Sequence, residues 1–78
     1  MHTNDRVRRA AEILYRHDPA DITSASNTYK AYCKCATILV SISVNNKITP
    51  FHVDQALFET FKHRYLFSRK LIADLAVV

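Results

Sequence analysis

Apolar residues recur along most of this chain three to four positions apart, the spacing of one helix face, with polar residues filling the gaps. In the first segment Val7, Ala10, Ala11 and Leu14 share a face, and Arg8, Arg9, Glu12 and Arg16 take the opposite one. This predicts a helix over 4–17. Thr3 or Asn4 supplies its cap, Asp5 sits at the positive end of the dipole, and Arg8–Glu12 and Glu12–Arg16 are i,i+4 pairs. His17-Asp18-Pro19 ends it, because the residue before a proline is pushed out of the helical region.

The second segment reads two ways at short range. Ile38, Val40, Ile42 and Val44 alternate with Leu39, Ser41 and Ser43 ahead of Asn45-Asn46-Lys47, which taken alone resembles a strand entering a turn. The longer window decides for a helix. Asn27, Lys30, Lys34, Thr37, Ser41 and Asn45 recur at steps of three and four and form one narrow polar stripe. Nearly everything else from Tyr29 to Val44 is apolar. We therefore expect a helix over 24–44, capped by Thr23 or Ser24 and stopped by Asn45-Asn46. Its apolar arc is wide enough that two flanking helices in so short a chain cover it only in part.

The third segment opens with Thr49 as N-cap and Pro50 at the first helical position, where a missing N–H costs nothing. Val53, Leu57, Phe58, Phe61 and Tyr65 then fall on one arc, and His52, Gln55, Glu59, Lys62 and His63 on the other. Arg64 and Ser68 break this pattern. Either the helix breaks near Phe67 and Ser68 caps a short fourth helix, or Arg64 pairs across an interface; the break is the preferred reading. The apolar end, Leu71–Val78, has Asp74 as its only charged side chain and should dock on this chain or on a partner. The fold expected is all-α: a compact bundle of three helices (4–17, 24–44, 50–66) with a fourth over 68–77, in a single domain spanning 1–78, joined by short connections.

Asn45-Asn-Lys-Ile-Thr-Pro-Phe-His-Val-Asp-Gln-Ala-Leu57 resembles the second loop and third helix of a histone fold. That resemblance implies a central helix closed by the Ile-Thr pair and two chains clasped into a dimer with a path for DNA. The middle helix expected here is shorter than in that family, and the third is longer.

Composition narrows the function classes. The 78 residues contain no glycine, where about 7% is usual. Phosphate-cradling loops, dinucleotide fingerprints and nucleophile elbows all need it and are excluded. Net charge is +4, which favours an acidic protein or a polyanion as partner. Two cysteines, Cys33 and Cys35, are fewer than a disulfide-stapled secreted domain carries, so both are read as reduced thiols in a cytoplasmic protein. The N-terminus is polar and Arg-rich, unlike a secretory leader, and the apolar run 36–44 is too short to span a bilayer.

No catalytic constellation emerges. Residues two apart on a helix point about 200° apart, so Cys33 and Cys35 do not share a metal ion easily and read as core residues. His2, His17, His52 and His63 fit ordinary surface roles, and no carboxylate pair stands out for acid–base work. The expectation is a non-enzymatic protein with no cofactor and no metal. Binding residues are sought in two basic clusters, Arg8, Arg9 and Arg16 in the first helix and Lys62, Arg64, Arg69 and Lys70 near the end. Tyr29, Tyr32, Leu75 and Val77 are the candidate interface, on the apolar arc and tail. Together these point to a small helical protein that binds a partner protein, one with an acidic surface, and regulates or inhibits it. Its compactness suits a virus or mobile element, which would put it in the host cytoplasm. The alternative is a basic homodimeric regulator that binds nucleic acid.

Overall fold

The computed structural model describes residues 3–17, 25–62 and 66–78, and these described residues form four helices. These are α1 (Thr3–His17), α2 (Ala25–Ile42), α3 (Pro50–Phe61) and α4 (Arg69–Ala76). The Cα radius of gyration is 11.3 Å, close to the ~11.5 Å of a compact chain of this length. The described residues form no sheet, only an isolated antiparallel bridge between Val44 and Lys47. The expected stop at Asp18-Pro19 and the expected Thr23 or Ser24 cap lie outside the described residues, as does Arg64.

The polar stripe of α2 decides how the bundle closes. Asn27, Lys30, Lys34, Thr37 and Ser41 are all exposed, and Asn45 is exposed just beyond the helix. The other side carries Tyr32, Cys35, Ala36 and Leu39, all buried, at the i, i+3, i+4, i+7 spacing of a core face. Against it pack Ala10, Ala11 and Leu14 of α1 and Val53, Ala56 and Leu57 of α3, and Leu71 and Leu75 bring α4 into the same core chiefly against α1. Ala10, Ala11 and Ala36 are fully buried; such small side chains let helix axes approach closely. Leu39, Val53 and Leu75 are among the largest side chains completely withdrawn from water, each worth roughly 1.5–3 kcal/mol of transfer free energy.

An aromatic ladder ties three helices together. The Tyr15 ring meets Tyr29 edge-on at 5.8 Å and Tyr32 edge-on at 6.0 Å, and Tyr32 meets Phe61 at 5.3 Å. Edge-to-face packing suits the ring quadrupoles.

Two helices end earlier than the pattern predicts, for local reasons. α2 stops at Ile42 rather than Val44. After one last helical bond, Ser43 N–H to Leu39 O at 3.1 Å, the chain turns, and Lys47 N–H donates to Val44 O at 2.9 Å. Asn45 and Asn46 hold φ of 53° and 62°. Two left-handed residues in succession are the hallmark of a type I′ turn, normally glycine's territory, and asparagine is among the side chains that tolerate it best. The strand-like alternation thus ends in a real hairpin-type turn, although the residues before it are helical. α3 stops at Phe61 rather than at 66. Lys62 takes φ 70° and ψ −38° while its N–H donates to Phe58 O at 2.7 Å. That combination lies outside the ordinary left-handed well and stores strain.

The caps of α3 and α4 follow the sequence, whereas α1 already begins at Thr3, so Thr3 and Asn4 lie within the helix and do not cap it. Thr49 Oγ1 accepts the His52 N–H at 3.3 Å, with Pro50 at the first position. His52 Nδ1 reaches back to accept the Thr49 N–H at 3.2 Å, a capping box in which histidine stands where Glu or Gln is usual. Ser68 Oγ accepts the Leu71 N–H at 3.1 Å and starts α4. The apolar end docks on the chain itself through Leu71 and Leu75.

Candidate binding pocket and its basic rim

A cavity of about 400 Å³ opens where all four helices meet, a size within the ~300–1,000 Å³ usual for ligand sites. Leu14, Tyr32, Leu57 and Leu71 form its floor and belong equally to the core. His17, Leu66 and Phe67 stand at its mouth, and Leu66 is 90% exposed. A second hollow of about 280 Å³ lies beside it, bounded by Pro50, Arg69, Ile72 and Ala73. Phe67 borders both hollows and forms the wall between them.

Polar groups at the mouth are held in place. His17 Nε2 lies 2.8 Å from Asp74 Oδ2, joining the end of α1 to α4. Arg16 Nη2 reaches the same oxygen at 3.6 Å. The hydrogen bond from His17 holds the Asp74 carboxyl below its ordinary pKa; desolvation opposes it, and the charges of His17, Arg16 and Lys70 add to the lowering. Asp74 is the only acidic side chain after Glu59, and these partners already engage it. Arg16 and Lys70 lie near this carboxylate and Arg69 lines the second hollow; all three are exposed. The site therefore pairs an apolar hollow with a cationic rim.

The structure divides the expected binding residues. It brings Arg16 of α1 and Lys70 of α4 near the same Asp74 carboxylate, beside His17 at the cavity, and sets Arg69 on the second hollow, uniting parts of two clusters that are far apart in sequence; Lys62 lines neither hollow. Arg8 and Arg9 stay on the earlier turns of α1, where Arg8 pairs with Asp5 at 3.5 Å on an exposed surface. Arg6 is half-buried, and its Nε and Nη2 atoms are enclosed without a hydrogen bond. Among the expected interface residues, Tyr32 is 2% exposed and Leu75 is fully buried. Both fill the core of this chain and present no surface. Tyr29 is half-buried against Tyr15, and Val77 is 84% exposed.

His17, Asp74, Leu66 and Phe67 were not among the expected binding residues. The only signal was the pattern break at Arg64, which leaves Leu66-Phe67 stranded between helices. The two cysteines face different neighbours. Cys33 interacts with the Tyr29 hydroxyl one turn back. Cys35 is buried next to the Thr60 hydroxyl, which makes no hydrogen bond of ordinary geometry. Burial pushes the Cys35 thiol up to about 12, against a small downward pull from Thr60. Among the described residues, no three His, Cys, Asp or Glu side chains come together as a metal site, and no helix is long and apolar enough to cross a membrane.

No known protein family matches this chain, nor does any curated protein or solved structure. The histone-fold likeness rests on residues 45–57 alone.

Proposed function

We propose that this chain is a small non-enzymatic interaction protein whose cavity and cationic rim engage an acidic surface on a partner protein, which it regulates or inhibits. The observation that carries this reading is the apolar cavity at the meeting point of the four helices, with exposed Arg16 and Lys70 near its His17–Asp74 edge and Arg69 on the adjoining hollow. A polyanion such as nucleic acid needs only the charges. A protein surface uses both an apolar centre and a charged rim, the usual anatomy of such interfaces. The reading keeps the protein in the cytoplasm, the host's if the chain is viral.

The test is a titration of the chain with a labelled acidic peptide bearing apolar residues and, separately, with a labelled DNA duplex, each at low and physiological salt. The peptide should bind. Lys70→Glu should weaken it clearly, whereas Lys34→Glu, an equal charge change on the α2 stripe, should leave it nearly unchanged. Tighter, steeply salt-dependent binding of the duplex would contradict the reading and support the basic nucleic-acid regulator, for which dimer formation is then the second readout.

A further inference from the structure

We propose that the two hollows on either side of Phe67 receive two apolar side chains from a single acidic segment of the partner. This rests on the reading above and specifies what the partner presents. Three observations carry it. First, the hollows share a wall, since Phe67 lines both, so one short segment can cross that wall and fill them together. A compact small molecule would fill one. Second, the ridge between them is already apolar and outward: Leu66, next to Phe67, is 90% exposed, and burying it against a partner recovers transfer free energy that the isolated chain forgoes.

Third, the charges are placed for a segment with carboxylates around its anchors. Arg69 lines the second hollow itself, and Lys70 follows it on the exposed side of α4. Arg16 reaches the carboxylate that His17 holds at the edge of the first hollow. Asp74 is engaged by His17 and Arg16, so it adds little repulsion toward an incoming carboxylate. Steering by such a rim speeds encounter, and the apolar anchors then set the lifetime of the complex.

The test uses blocked peptides of glutamate and serine with equal charge, bearing two leucines at helical spacing, two at alternating spacing, one leucine, or none. A two-leucine peptide with glutamine in place of glutamate completes the set. Fluorescence anisotropy with the full chain reads the affinity. One of the two-leucine acidic peptides should bind about tenfold tighter than the one-leucine peptide, and that in turn about tenfold tighter than the peptide with none, as expected for burying one aliphatic side chain at a time. Ala73→Trp, which fills the second hollow from an exposed position, should reduce the two-leucine peptide to the one-leucine level. Leu66→Asp should weaken every leucine-bearing acidic peptide. Equal binding by two- and one-leucine peptides overturns the two-anchor proposal while leaving the acidic-partner reading standing. Equal binding by the glutamine peptide overturns the acidic reading and leaves the hollows. If no peptide binds, both fail.

Discussion

His17 Nε2 and Asp74 Oδ2 meet at 2.8 Å across 57 positions of the chain. The contact ties the last turn of α1 to α4 directly at the mouth of the cavity. It also draws Arg16 toward the same carboxylate. The rim is thus assembled by a polar latch that joins the first and last helices, while the floor beneath it is assembled by apolar packing.

The latch makes acid stability a readout. The folded-state pKa of Asp74 is depressed below its unfolded value. Its contribution is therefore fully present above the ordinary carboxylate range, near pH 4, and is lost as pH falls through the lower folded value. Thermal unfolding followed from pH 7 to pH 2 should show this loss in the native chain. Asp74→Asn should flatten that part of the profile and accelerate amide exchange in α4, with the core helices less affected. An unchanged acid limb in the variant would mean that the latch does not contribute.

The strained end of α3 predicts a stabilising substitution. Lys62 holds φ 70° with ψ −38°, a conformation whose cost glycine largely avoids. Lys62→Gly should raise stability by about 1 kcal/mol after the extra chain entropy of glycine is subtracted. The urea midpoint should move up with its slope unchanged, and Lys62→Ala should give no such gain. A lower midpoint for the glycine variant would show that Lys62 does not adopt this geometry.

Leu75 and Val77, two residues apart in the same tail, should behave oppositely. Leu75 is fully buried and Val77 is 84% exposed. Leu75→Ala should cost about 2–5 kcal/mol by removing packed core atoms. Val77→Ala should stay within about 0.5 kcal/mol. With total stability on the order of 4–12 kcal/mol for a chain this size, the first change is expected to unfold a large fraction of the protein at physiological temperature. Similar small effects from both would place Leu75 at the surface.

Cys35 offers a labelling test of the core. With its thiol pushed up to about 12 by burial, the reactive thiolate is scarce at pH 8, and access adds a second barrier. In a Cys33→Ser background, modification of Cys35 by a thiol reagent should be slow in buffer and rise with urea in step with unfolding. Rapid stoichiometric reaction of the folded protein would contradict the buried placement.

Much of the fold was legible because it depends on local rules. The α2 stripe from Asn27 to Ser41 outweighed a strand-like run, since helix periodicity over a long window is harder to mimic than alternation over a short one. Thr49-Pro50 and Ser68 marked helix starts through cap chemistry that involves only neighbouring residues. The end of α3 was not legible: a lysine at positive φ carries no sequence signature. Nor was the cavity. It depends on how α1 and α4 approach, and the pair that records that approach, His17 and Asp74, joins residues whose proximity no periodicity reveals. The basic residues were visible as two clusters, but their division between the cavity rim and the earlier turns of α1 required the fold.

The most direct test of the central claim, that cavity and rim form one binding surface, is backbone amide mapping by NMR during titration with a two-leucine acidic peptide. The account predicts shifts concentrated at His17, Phe61, Leu66, Phe67 and Arg69–Leu71, with Lys30, Lys34 and Thr37 on the α2 stripe unmoved. Shifts spread evenly over the basic residues, or centred on α2, would contradict it.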